Sequence, residues 1–162
     1  MDHFCPWMIN CIGFYNRKFF VLFLMWTVVT STEFVLAMAI HGDFNVQKII
    51  LLPDGRLTVV KFMAVVVDAA LAFAVFFFLI FHIKLVLYNQ TTIEDDGSRF
   101  DLGFRRNFES VFGANPFLWF VPVFGDGPVG DGVHWPSPDG GFEMCVVQGD
   151  QRVDDAEYDS DN

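Results

Sequence analysis

Two long apolar runs constrain what this chain can fold into more than anything else in it. Phe19 to Ile40 is 22 residues with a single charge, Glu33. Phe62 to Phe81 is a second such run, again with one charge, Asp68. At a rise of about 1.5 Å per residue, each can cross a hydrocarbon core of about 30 Å as a helix. In lipid every backbone polar group must be satisfied internally, and a helix does this within one segment. The sequence therefore predicts transmembrane helices over 19–40 and 62–83. A polar loop, His41 to Lys61, joins them and carries Gly42, Pro53 and Gly55. Arg17 and Lys18 stand at the first entry, where they would anchor among headgroups.

The polar residues inside these runs have a pattern. Thr27, Thr30, Ser31 and Glu33 gather at helical neighbour spacings, so part of one side of the first helix should face protein or a cavity. Glu33 and Asp68 fall at similar depth if the second helix returns through the bilayer. Two carboxylates cannot neutralise each other, so one is protonated, a partner lies elsewhere, or hydroxyls and water hold them. Lys and Arg are slightly more frequent at the ends than in the loop, which places both ends in the cytosol. The sequon at Asn89 would then stay bare.

Charge divides the chain as hydropathy does. The net charge is −10, and fifteen of the twenty acids lie from Glu94 onward. No basic footprint for nucleic acid exists. After Phe124 the chain turns to Gly, Asp and Pro, and 126–162 reads as a disordered acidic tail that cannot bury a core. Between the second span and the tail, Phe104, Phe108, Val111 and Phe112 recur at i, i+4, i+7 and i+8, with Arg105, Arg106, Glu109 and Ser110 opposite. That is a short amphipathic helix, on the membrane surface or docked beneath the bundle. Phe117 to Val121 is apolar but bounded by Pro116 and Pro122, too short to span and suited to an interfacial anchor or a segment packed on the helices.

The chemistry sits before the first span. Asp2, His3 and Cys5 bring an acid, a base and a thiol within four residues. A thiol attacks as thiolate, a histidine is the usual base, and a carboxylate can orient that base. Taken alone, the same residues read better as a loop with a chance cysteine or a zinc ligand. Three cysteines, two of them in this stretch, make no disulfide framework and fit a reduced, cytosolic setting. No signal peptide is predicted, because Met1 is followed at once by polar residues.

The stretch Asp2-His3, Cys5-Pro6-Trp7, Asn10-Cys11-Ile12-Gly13 and Asn16 resembles the signature of the DHHC protein S-acyltransferases, Asp-His-His-Cys-Pro-Trp followed by Asn-Cys-Val/Ile-Gly-x-x-Asn. Thr91-Thr92-Ile93-Glu94 looks like the family's TTxE motif, and residues 100–124 resemble its aromatic, asparagine-centred element around Asn107. The resemblance covers 1–125 and implies an all-α integral membrane protein. Its two transmembrane helices would be the remnant of a four-helix bundle, with a cytosolic amphipathic helix beneath. It implies transfer of a palmitoyl-like chain from acyl-CoA through acyl-Cys5 to cysteines of membrane-associated proteins. His3 would be the base and Asp2 its orienter. Thr91 and Thr92 would lie beside Asp2, Trp26 and Thr30 along the acyl cavity, and Glu94 and Asn107 in structural roles.

The family uses structural zinc, with Cys11 keeping one ligand, while Phe4 stands where the second histidine would be another. The remaining ligands and two further helices are expected ahead of Met1, which reads as an internal methionine of a longer product. The endomembrane system, Golgi, endoplasmic reticulum or plasma membrane, is the implied location. A degenerate two-span scaffold that catalyses nothing is the alternative.

Overall fold

The computed structural model describes residues 2–41, 55–93, 100–125, 127, 128, 132, 134–136, 138 and 142–144. The signature begins as a β-hairpin: β1 (His3–Cys5) pairs antiparallel with β2 (Asn10–Ile12), His3 opposite Ile12 and Phe4 opposite Cys11. A turn then feeds α1 (Arg17–His41). Asn16 makes that junction. Its side-chain carbonyl accepts from the Gly13 N–H at 2.7 Å, and its amide donates to the Cys11 carbonyl at 2.8 Å. The chain is thus mostly helical rather than all-α. A strand pairing at the signature follows from its short extended run, which no helical periodicity opposes.

α1 and α2 (Gly55–Leu87) are long and apolar enough to cross a membrane. α2 has 33 residues and starts well before the expected 62. Arg56 to Lys61, read as loop, continue the helix because nothing after Gly55 breaks it. The rest of the loop, 42–54, lies outside the described residues. At about 50 Å by helical rise, α2 is longer than the roughly 30 Å hydrocarbon core of a bilayer. Only 6% of its most apolar window is buried, and Phe73, Phe77 and Leu71 are more than half exposed. Apolar area on this scale needs lipid or other helices against it.

The helices run antiparallel, since the Arg17 guanidinium at the start of α1 donates to the Gln90 carbonyl just past the end of α2. Deeper in, the Ser31 hydroxyl donates to Asp68 at 3.1 Å, so a hydroxyl holds this intramembrane acid, while Glu33 is exposed. Arg17 and Lys18 are not headgroup anchors. Both are buried, and the Lys18 ammonium donates to the Leu118 and Val123 carbonyls at 2.9 and 3.0 Å. Backbone carbonyls of the chain itself, at Gln90 for Arg17 and at Leu118 and Val123 for Lys18, take the place of headgroups.

The core lies at this end, where Cys5 and Ile12 of the hairpin meet Phe20 and Leu24 of α1, Leu79 and Val86 of α2, and Val111 and Phe112 of α3 (Phe104–Phe112). α2 ends on Asn89, whose φ of 51° is left-handed, with the Gln90 N–H returning to the Leu85 carbonyl at 2.8 Å. Asn tolerates that conformation better than most residues. α3 docks beneath the helices through Asn107, which is fully buried. Its amide donates to the Leu87 carbonyl and to Asp101, both at 2.6 Å, and its oxygen accepts from the Leu102 N–H at 2.9 Å.

The tail differs from expectation where it is described. β3 (His134–Pro136) pairs antiparallel with β4 (Phe142–Met144), and the Trp135 ring sits edge-on to Phe14 at 5.4 Å. Gly132 permits the approach, because a Cβ there would stand 3.0 Å from the Phe14 ring. In the described part of the tail, one tryptophan borrows the face of Phe14. From 145 onward the chain lies outside the described residues.

Asn107→Leu keeps the volume but strands the Leu87 carbonyl and the Leu102 N–H. Each stranded group costs about 1–3 kcal/mol, so thermal unfolding in detergent should shift down by several degrees or more. Protease cleavage within 100–112 should rise in the same variant.

Candidate active site

The hairpin decides which signature residues face each other. Side chains two apart on a strand share a face, so His3 and Cys5 lie on one side of β1 and Phe4 on the other. Cys5 is 4% exposed and Phe4 59%, so the first side is the core side. Phe4 stands directly opposite Cys11, which is an exposed free thiol.

Asp2 is where the signature meets the stretch that follows α2. It is 2% exposed, and its Oδ1 accepts from the Thr92 N–H at 2.6 Å and the Thr92 hydroxyl at 2.7 Å. Its Oδ2 faces His3 Nδ1 at 3.4 Å. Burial pushes the Asp2 carboxyl up. The Thr92 N–H and hydroxyl, with Arg17 and His3, outweigh that and hold it below the ordinary carboxylate value. The group is therefore an anion at neutral pH, with one oxygen fixed by Thr92 and the other turned to the imidazole. On the far side of His3 stand the Phe20 ring at 5.4 Å and the His82 ring at 5.5 Å.

Not every expected site residue gathers here. Thr92 does, and Thr91 adjoins it, half-buried. Glu94 lies outside the described residues. Asn107 is a buried structural hub at the end of α2 and does not touch His3 or Cys5 through any described hydrogen bond. Trp26 and Thr30 lie further along α1, both exposed. The Thr30 hydroxyl bonds back to the Trp26 and Thr27 carbonyls at 2.9 and 3.1 Å. The structure leaves these two on an open flank of α1, about 9 Å or more beyond Phe20 by helical rise.

Sequence reasoning passed over His82. It stands in Phe76-Phe77-Phe78-Leu79-Ile80-Phe81-His82 as the one polar residue after six apolar ones, and that contrast was the signal available. It passed over Arg17 and Lys18 as internal donors because basic residues beside an apolar span ordinarily meet headgroups.

A family-level zinc site is testable against the residues present. Among the described residues no three His, Cys, Asp or Glu side chains come together as a metal cluster. Cys11 offers one thiolate, and its cross-strand neighbour Phe4 offers none. A structural zinc wants four ligands, so the described residues do not make up such a site.

Residues 1–97 match the family described as DHHC palmitoyltransferase. Probable protein S-acyltransferase 14 of Arabidopsis thaliana is 39% identical over 132 residues, covering 76% of this chain and 42% of the relative. Palmitoyltransferase ZDHHC15A of Danio rerio is 38% identical over 151 residues, 84% of this chain and 43% of the relative. Palmitoyltransferase ZDHHC2 of Homo sapiens is 33% identical over 170 residues, 93% of this chain and 41% of the relative. The chain spans about four tenths of the length of these curated relatives.

The Asp2 carboxyl is lower in the fold than its ordinary value of 3.8. Its stabilising contribution is therefore complete above that pH and is lost as pH falls below it, through the folded value. Thermal unfolding in detergent should show a drop in midpoint that begins below pH 3.8. Asp2→Asn should remove that pH-dependent component, and Thr92→Val, which takes away the hydroxyl donor and so raises the folded value towards 3.8, should make the drop smaller.

Proposed function

This chain belongs to the DHHC palmitoyltransferase family, and we propose that it transfers a long acyl group from acyl-CoA to protein cysteines through an acyl-Cys5 intermediate. The observation that supports this most is the Asp2 carboxylate, fixed by Thr92 on one side and turned to His3 on the other.

The steps balance without an outside reagent. His3 takes the Cys5 proton, and the thiolate attacks the thioester carbonyl. The carbon–sulfur bond to CoA breaks, and the departing thiolate takes the proton from His3. A cysteine of the acceptor protein then attacks acyl-Cys5. His3 accepts its proton and returns it to Cys5 as the bond to the acyl group breaks. Asp2 stays ionised throughout and stabilises the imidazolium. The exchange is thioester for thioester, so the demands on the protein are a thiolate and a seat for the chain.

The acyl chain would lie along the exposed flank of α1 where Trp26 and Thr30 stand. Acyl-CoA and cysteine-bearing proteins at the membrane surface are the substrates, and the cytosol holds the site. Zinc enters as a structural ion with Cys11 among its ligands and the rest supplied from outside the described residues. A second reading, a catalytically silent two-span scaffold, draws on one observation: Phe4 faces Cys11 where a second ligand would stand.

Incubation with a fatty-acyl-CoA bearing a clickable tail should label the chain, and hydroxylamine should release the label. Cys5→Ser should abolish it, and His3→Ala should slow it by about 10²-fold. Label that persists in Cys5→Ser, or maps to Cys11 or Cys145, would overturn the assignment. Absence of label in the unaltered chain would favour the scaffold.

A further inference from the structure

His82 is a deeply buried polar side chain that the reaction above does not use. It is 1% exposed, and neither ring nitrogen has a hydrogen-bond partner among the described residues. Phe78 at 4.6 Å, Phe20 at 4.9 Å and Phe81 at 5.3 Å wall it in, each nearly perpendicular to its ring. Leu79, His82 and Val86 form one buried face of α2, and Leu79 and Val86 belong to the cluster that buries Cys5.

A cage of phenylalanines needs no imidazole. Stranding a buried polar nitrogen costs about 1–3 kcal/mol, which a phenylalanine or leucine at position 82 would avoid. The open side of the cage is occupied by His3, with ring centroids 5.5 Å apart and planes tilted by 39°. His3 is in the same condition. Its Nδ1 faces Asp2 at 3.4 Å, longer than a hydrogen bond, and its Nε2 is buried without a partner. A neutral imidazole has one N–H donor and one lone pair. Two neutral rings side by side are therefore complementary, and a small rotation of either brings a nitrogen of one to a nitrogen of the other.

Resting on the acyl-transfer reading, we propose that His82 is a positioning residue for His3, donating its N–H to His3 Nε2 in the resting chain. That bond keeps the His3 proton on Nδ1, facing Asp2, and leaves Nε2 as the lone pair a base must offer. The Cys5 thiol, on the same face of β1, replaces His82 as the donor when the proton moves. Asp2 alone leaves the ring a pivot at one end; His82 holds the other.

The test uses the full chain in nanodiscs, with His82→Phe and His82→Gln. Phenylalanine preserves the packing and removes the donor, whereas the glutamine amide restores a donor. His82→Phe should lower the rate of Cys5 acylation by about 10-fold or more with little change in the acyl-CoA concentration at half-saturation, and His82→Gln should recover much of it. Magnetic resonance of isotope-labelled histidine nitrogens reads the His3 tautomer directly and needs no turnover. It should show the proton on Nδ1 in the unaltered chain and a mixed population in His82→Phe. If the His3 signals are the same in both, the proposal is overturned, as it is if His82→Phe acylates at the unaltered rate. If the unaltered chain is never acylated while the tautomer still shifts in His82→Phe, the acyl-transfer reading fails and the positioning role stands.

Discussion

A carboxylate sealed from water survives only where donors replace the water. Asp2 is such a group, and both its strongest donors, the N–H and hydroxyl of Thr92, come from the far end of α2. That pair of bonds closes a loop of 90 residues around the two membrane helices. It sets the hairpin against the mouth of the helix pair and leaves the second carboxylate oxygen for His3. If the contact were lost, the hairpin would keep its own ladder but lose its place, and His3 would lose the group beside Nδ1.

The rest of the architecture serves the same end of the helices. The Arg17 guanidinium pulls the exit of α2 onto the entrance of α1 through the Gln90 carbonyl. Asn89 turns the chain with a left-handed residue, and its amide ties the turn to the Phe100 carbonyl at 2.9 Å. Asn107 then caps the loose Leu87 carbonyl at the end of α2. Helix ends leave carbonyls without partners, and at a membrane surface a protein donor is surer than shared water. Further along the helices, among the described residues, Ser31 and Asp68 make a polar contact between them. Structure is concentrated where the chemistry is proposed.

Much of this was legible in the primary sequence, for reasons of scale. A run of twenty apolar residues admits few folds, and the amphipathic spacing of Phe104, Phe108, Val111 and Phe112 admits one. The gathering of Asp2, His3 and Cys5 was legible as chemistry, and Thr92 as their neighbour through the motif resemblance. Other features had no local signal. Lys18 reads as a headgroup anchor until the Leu118 and Val123 carbonyls, a hundred residues on, are brought beneath it. Trp135 reads as part of an acidic tail until Phe14 offers a ring.

What the sequence determined by itself is what depends on neighbours along the chain: the two helices, the short amphipathic one, and an acid, a base and a thiol within four residues. Hydropathy, periodicity and adjacency are local quantities. The tertiary structure alone decided the pairings across long separations: the β-hairpin that puts Cys5 inward and Phe4 outward, Thr92 on Asp2, and His82 against His3. Those depend on which helix face turns inward and how far each helix runs past the bilayer. Each is a balance of burial against unpaired polar groups, and that balance exists only once the whole chain is packed.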